Sequence, residues 1–295
     1  MSLYSTYDQV GKAEDVSDII TDISPTDTPF TTMVKSEKVS ARTFEWQEDS
    51  LAAAAANAAI EGADASMATL SATTMRTNNT QILTKAFQVS ATADSIKTYG
   101  RAKETAYQLG KALKEIKRDL EKAYVGVSNA AVTGSESAAR EMASVDQQIS
   151  TTVDAGSNAT DALTEAKLLT LGQTCFNNGS DPSVFMIKPA DAQIVAGFTG
   201  ASGRYRNFND GTKTLVNVID LYVSPYGEYK VVLNRHQVTT LGFLIDPAMF
   251  RSCVLRPFSR TLLAKAGDSD KHFVVGEYSV KHNSYADSGM ITGLS

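Results

Sequence analysis

Apolar residues recur at helical spacing from Tyr99 to Val127: Tyr99, Ala102, Ala106, Leu109, Leu113, Ile116, Leu120, Ala123 and Val127. Steps of three and four residues keep them on one face of an α-helix. The other face holds Lys103, Glu104, Lys111, Lys114, Glu115, Lys117, Arg118, Asp119, Glu121 and Lys122. The spacing predicts a helix over residues 97–128, with Asp94, Ser95 or Thr98 as the cap. Such a helix is roughly 40 Å long, against about three turns for an ordinary one. A helix of that length braces something extended. Tyr99, Leu109, Leu113, Ile116 and Leu120 are expected to face the chain's own core, against strands expected over residues 253–281.

The segments before the helix are organised differently. Residues 1–40 have little apolar periodicity beyond Val16, Ile19, Ile20 and Ile23. Ser24-Pro25 and Thr28-Pro29 break any helix there, and Phe30, Met33 and Val34 form a small anchor. This reads as an arm that docks on another surface. Thr43 to Gln47 alternates as a strand does, placing Phe44 and the only tryptophan, Trp46, on one face. Seven of the nine residues from Leu51 to Ala59 are alanine, so this run has little to bury. A small-residue stretch follows, then a second strand-like segment from Thr69 to Val89. An isolated two-stranded ribbon is marginal in water and needs a neighbour to lie on. Phe44 and Trp46 either pack on the chain's own core or anchor the ribbon to another copy. The second is the expectation, with Phe30, Leu51 and Leu70 in the same candidate interface.

After the helix, residues 131–160 read as loop with a short helix at 137–144. A compact α/β pattern begins at 161. It comprises a helix from Asp161 to Cys175 stopped by Asn177-Asn178-Gly179, a buried strand at Val184–Ile187 and a short helix at 190–197. A loop at 199–213 precedes strands at 215–223 and 229–234, joined by the turn Ser224-Pro225-Tyr226-Gly227-Glu228. Further strands are expected at 242–245, 253–255, 261–264 and 273–281, the last two joined at Gly267-Asp268-Ser269-Asp270.

Composition narrows the chemistry. The 295 residues are 42% hydrophobic and 21% charged, with a net charge of -5. That suits a large core and excludes a bulk basic nucleic-acid binder. The N-terminus lacks a secretory pattern and no stretch has the length of an apolar membrane span, so a soluble, unprocessed cytosolic chain is expected. Cys175 and Cys253 lie far apart, and His236, His272 and His282 lack ligand spacing, so no metal or cofactor is expected. No phosphate loop, dinucleotide fingerprint or nucleophile elbow occurs, which argues against an enzyme. Arg204 and Arg206, interleaved with Tyr205, suit either nucleic acid or acidic groups of a neighbouring subunit. Asp268 and Asp270 could hold a cation, but in a Gly-Asp-Ser-Asp turn the solvated reading is the expectation.

Two stretches carry a resemblance. One is Tyr99-Gly-Arg-Ala-Lys to Leu120-Glu-Lys-Ala-Tyr124, above all Leu113–Glu121. The other is the closing Gly276–Ser284 and Gly289–Gly293. With the order of arm, ribbon, long helix, α/β body and returning strands, the chain resembles the major capsid proteins of tailed bacteriophages, with the Hong Kong 97-type shell fold. The resemblance implies an α+β fold with an N-terminal arm at 1–40 and an extended β-ribbon loop at 41–92. It further implies a spine helix of the peripheral domain at 93–130, an axial domain at 131–240 and peripheral return strands at 241–295, with Asp268 and Asp270 as candidate subunit-interface residues. It implies pentamers and hexamers closing an icosahedral head around double-stranded DNA, without sequence-specific binding or catalysis. A separate scaffolding protein, a portal and decoration proteins would be partners, and the virion, assembled in the host cytoplasm, the location. An encapsulin-type nanocompartment shell is the alternative, and a surface or decoration protein a weaker one.

Overall fold

The structure, a computed structural model, describes residues 24–62, 64, 67–98, 103–156, 162–198, 221–265 and 267–295. Tyr99, Arg204, Tyr205 and Arg206 lie outside the described residues, as does most of the arm. The chain forms α1 (Pro29–Met33), β1 (Lys35–Lys38), β2 (Thr43–Glu48), β3 (Thr74–Asn79), β4 (Gln81–Ser90), α2 (Ala91–Ser95) and α3 (Glu104–Val125). After β5 (Thr151–Asp154) come α4 (Glu165–Asn177), β6 (Val184–Ile187), α5 (Ala192–Ala196), β7 (Leu221–Ser224) and β8 (Gly227–Leu233). The chain closes with β9 (Gly242–Ile245), β10 (Phe250–Leu262), β11 (Ser269–His282) and β12 (Gly289–Thr292).

These strands make three sheets: β1-β10-β11-β4, β5-β12-β9-β6-β8-β7, and the β2-β3 ribbon. The central strands of the six-stranded sheet, Val184-Phe185-Met186-Ile187 and Gly242-Phe243-Leu244-Ile245, are buried throughout. Such runs belong to strands covered on both faces. Val184, Met186, Phe243 and Ile245 join one core, shared with α1, α3 and the four-stranded sheet. Phe185, Ile187 and Leu244 point the other way, into a second core with Leu168, Leu171 and Cys175 of α4 and Val195 of α5. The sheet is therefore the wall between two cores, and period-two alternation sorts its residues.

The long helix is shorter than its spacing predicts, at 22 residues or about 33 Å. Glu104 in its first turn and Lys122 in its last complement the helix dipole. Its cap comes from outside: the Asp94 carboxylate, on α2, accepts the Thr105 N–H at 3.0 Å. Ala112, Ile116, Leu120, Ala123 and Tyr124 are buried, and Leu109 packs against the same core. Leu113 departs from the expected core face and stays 41% exposed. The α1 contacts on its flank fall at Glu121 and Tyr124, about two turns further along.

Other expectations change for local reasons. The stretch Thr69–Val89 is not one strand: the chain leaves the ribbon at Thr80 and enters the four-stranded sheet as β4. Residues 137–144 are not helical, and Val132 bridges Glu141 instead. The expected strands 253–255 and 261–264 are one strand, β10, whose register shifts flank Leu255 and Pro257-Phe258 and accommodate the proline. Gly276 lies opposite: a Cβ there would collide with the Phe258 ring. The boundary at residue 240 does not separate the sheets, because β9 and β12 belong to the six-stranded one.

Candidate assembly surfaces

The ribbon begins in a buried polar lock. Asn78 and Asn79, unusual residues for a strand, have almost no exposure. Asn78 Nδ2 donates to Val280 O at 2.6 Å and to Ala143 O at 3.2 Å, while its Oδ1 accepts from Ala143 N at 2.8 Å. Thr80 Oγ1 donates to the buried Glu277 carboxylate at 2.7 Å. Arg140 reaches the same carboxylate and Thr80 O, and Arg256 Nε completes the group at 3.0 Å from Glu277. A buried carboxylate is tolerable because two guanidiniums and a hydroxyl serve it. This group sits where the chain passes from β3 into β4.

The far end of the ribbon is clasped to the turn after β11. Glu48 accepts from Tyr285 N at 2.9 Å and Ser284 Oγ at 3.2 Å, and pairs with Arg76 at 2.7 Å. Burial pushes the Glu48 carboxyl up, but these donors outweigh it and hold it below its ordinary value. The Arg76 guanidinium lies 4.2 Å over the Tyr285 ring. Trp46 is buried, stacked on Phe44 at 5.7 Å and tilted against Tyr285 at 6.4 Å. Trp46 therefore packs on its own chain, against the turn after β11.

The loop between β2 and β3 is the reverse. No residue described from 49 to 73 belongs to a strand or helix. Leu51 is 99% exposed, Ile60 83%, Met67 88% and Leu70 91%. Leu51 and Leu70 are thus on the surface. Phe30 is not: it is fully buried in its own core, edge-on to Tyr124 at 5.7 Å and to Phe250 at 5.6 Å. Asp268 is exposed on the β10–β11 turn, and Asp270 pairs with Lys265 at 3.3 Å, so that turn is solvated.

Glu121 is the anchoring residue at the arm root that sequence reasoning misses. Helical spacing assigns it to the polar face, yet it is fully buried. It accepts from the backbone N–H of Phe30 and Thr31, both at 2.8 Å, from Thr31 Oγ1 at 2.6 Å and from Asn234 Nδ2 at 2.7 Å. The carboxylate caps α1 and pins the root of the arm to α3. Its only sequence signal is Pro29-Phe30-Thr31-Thr32, a short helix start without an acidic cap of its own.

Other titratable groups are explained by burial. The thiols of Cys175 and Cys253 are pushed up to about 11 and about 12, so they stay protonated and inert. His282 stacks on Phe250 at 4.1 Å and its Nδ1 meets Gln148 O at 2.8 Å; burial lowers its pKa to about 4. Burial, then repulsion from Asp246 and Asp181, raises Asp287 to about 6. Among the described residues no cluster of three or more His, Cys, Asp or Glu has metal-binding geometry.

A family model described as SU10 major capsid protein matches residues 3–295. The chain belongs to the SU10 major capsid protein family. The major capsid protein of Escherichia phage Phieco32 is 31% identical over 341 residues, covering 99% of this chain and 97% of that protein. The capsid protein of a native GTA particle has a TM-score of 0.66 at 11% identity, covering 96% of each chain. A phage G structure of major capsid and decoration proteins matches at TM-score 0.62 and 10% identity, covering each chain fully. The SrpI encapsulin of Synechococcus elongatus matches at TM-score 0.58 and 9% identity, over 97% and 93% of the chains. Such distant likenesses establish the Hong Kong 97-type fold. In a phage major capsid protein that builds shells from copies of itself, loop 49–73 and the arm root are the surfaces of interest.

Proposed function

We propose that this capsid protein tiles the icosahedral head of a tailed phage carrying double-stranded DNA, with residues 49–73 lying across an adjacent copy. One observation carries the reading. Four large apolar side chains stand almost wholly in water on a segment whose described residues form no helix or strand and whose root is locked to the body. A neighbour's surface would bury them, and repeated head-to-tail contacts of this kind close rings and shells. In this reading α3 and the four-stranded sheet form the peripheral domain. The six-stranded sheet with α4 and α5 forms the axial domain and includes β9 and β12. The protein works as a structural tile without catalysis, assembled in the host cytoplasm with a separate scaffolding protein, a portal and decoration proteins.

The test is co-expression with the scaffolding protein of the same phage, followed by electron microscopy. Wild-type protein is expected to give closed shells. A chain lacking residues 52–66 is expected to give folded subunits with an unchanged melting temperature and no shells. Shells from the deleted chain would remove the loop from assembly. The encapsulin reading has the SrpI likeness in its favour and predicts shells that close without scaffold and hold protein cargo.

A further inference from the structure

Helix α3 carries a second regularity besides its buried face. Tyr107, Lys111, Lys114, Arg118 and Lys122 recur at steps of three and four, so they form one stripe about 22 Å long. Lys111, Lys114 and Lys122 are exposed and Arg118 is half-buried. The carboxylates on the adjoining flank, Glu115 and Asp119, are engaged by Lys85 of β4 at 3.8 and 3.0 Å. The stripe borders a groove whose opposite lip is Ser24 and Thr26. Arg118 Nη1 donates to Pro25 O at 3.4 Å. The chain therefore reaches this basic face at residue 24, from a stretch of 23 residues.

The composition of that stretch complements the stripe. It holds five carboxylates, Asp8, Glu14, Asp15, Asp18 and Asp22, against one cation, Lys12. At helical spacing Asp15, Asp18 and Asp22 share a face, with the same three- and four-residue steps as Lys111, Lys114, Arg118 and Lys122. At the same spacing Val16, Ile19, Ile20 and Ile23 would fall on the neighbouring face. Proximity of attachment raises the effective concentration of the acidic segment at the stripe far above that of any separate polyanion.

We propose that residues 8–23 dock along the Lys111–Lys122 stripe of the same chain, so that the acidic arm covers the basic face of α3 in the free subunit. The docking is within one chain and does not depend on how shells are built. Exposed pairs of this kind are individually weak and salt-sensitive, so several must act together.

Hydrogen exchange of the full-length, unassembled subunit at low salt tests it. Amides of residues 8–23 are expected to exchange about tenfold slower than their intrinsic rates, and to lose that protection in 1 M salt and in Lys111→Glu/Lys122→Glu. Adding Asp15→Lys/Asp22→Lys to that variant is expected to restore it. As a second measurement, acetylation of Lys111 and Lys122 is expected to rise severalfold in Asp15→Asn/Asp18→Asn/Asp22→Asn, whose substitutions lie outside the described residues. Intrinsic exchange rates in the wild-type subunit, or lysine reactivity unchanged by the asparagine variant, would overturn the proposal. So would protection that arises only in assembled shells, which would assign the arm to a neighbouring copy.

Discussion

Residues 43–48 with 74–79, and the residues 49–73 between them, belong to one excursion from the body, yet they meet water in opposite ways. The paired part lies along its own chain. Asn78, Thr80, Trp46, Arg76 and Glu48 find partners in Val280, Glu277, Tyr285 and Ser284. The unpaired part exposes Leu51, Ile60, Met67 and Leu70. A ribbon therefore does not need a neighbouring subunit merely because it is two-stranded. The paired strands of this one use the turn after β11 as their third partner, while the loop leaves its large apolar side chains in water. The root determines where the loop leaves the body, and the loop supplies the apolar surface.

Predictions that sharpen this contrast concern folding of the isolated subunit, in order of size. Glu277→Ala leaves Arg140 and Thr80 without their acceptor and is expected to cost about 3 kcal/mol, or about 6–10 °C in melting temperature by calorimetry. A loss below about 0.5 kcal/mol would mean that the lock is ornamental. Glu121→Ala strands the amides of Phe30 and Thr31 and is expected to cost about 2 kcal/mol. Hydrogen exchange of residues 28–34 would rise with it. Trp46→Ala is expected to cost about 2 kcal/mol, less than for a wholly enclosed tryptophan, since the site is at the sheet's rim.

Asp287 gives a smaller, pH-dependent effect. Its folded pKa, about 6, is raised above the ordinary 3.8. Its contribution is therefore fully present below pH 4 and lost as pH rises through 6. Asp287→Asn is expected to be about 1 kcal/mol more stable than wild type at pH 7.5, and equal to it near pH 4, in urea titrations. Smallest of all, Leu51→Ser/Leu70→Ser is expected to change folding by less than about 0.5 kcal/mol while reducing shell yield. If this pair destabilises the subunit as much as Trp46→Ala does, the contrast between root and loop collapses. Fluorescence of Trp46, the only tryptophan, reports the root alone and should be indifferent to both changes.

Legibility from the sequence followed the kind of force involved. The run Val184–Ile187 is readable as a buried strand because its continuous hydrophobic content requires two covered faces, whereas Gly242–Ile245 is readable as a strand and its burial on both faces comes from the fold. The helix around Ile116 and Leu120 was readable from its period, but its reach and the exposure of Leu113 depended on what α1 covers. The break at Thr80 was not readable. Its cause is a buried acceptor, Glu277, distant in sequence, and threonine suits a continuous strand equally well. Glu121 was misread for the same reason: spacing assigns a carboxylate to water unless donors from elsewhere replace it.

Local patterning by itself determined the long helix, the two central strands, the burial of Val184–Ile187, the alanine-rich stretch with nothing to bury, and the mixed class of fold. These follow from period, propensity and turn chemistry, which act over a few residues. Tertiary structure alone decided that Phe30 and Trp46 belong to the subunit's own packing. It also decided that β9 and β12 return to the six-stranded sheet, and that Glu121 and Glu277 are interior anchors. Each of those outcomes depends on partners far apart in the chain, because burial and hydrogen bonding are settled by what the fold brings alongside a residue.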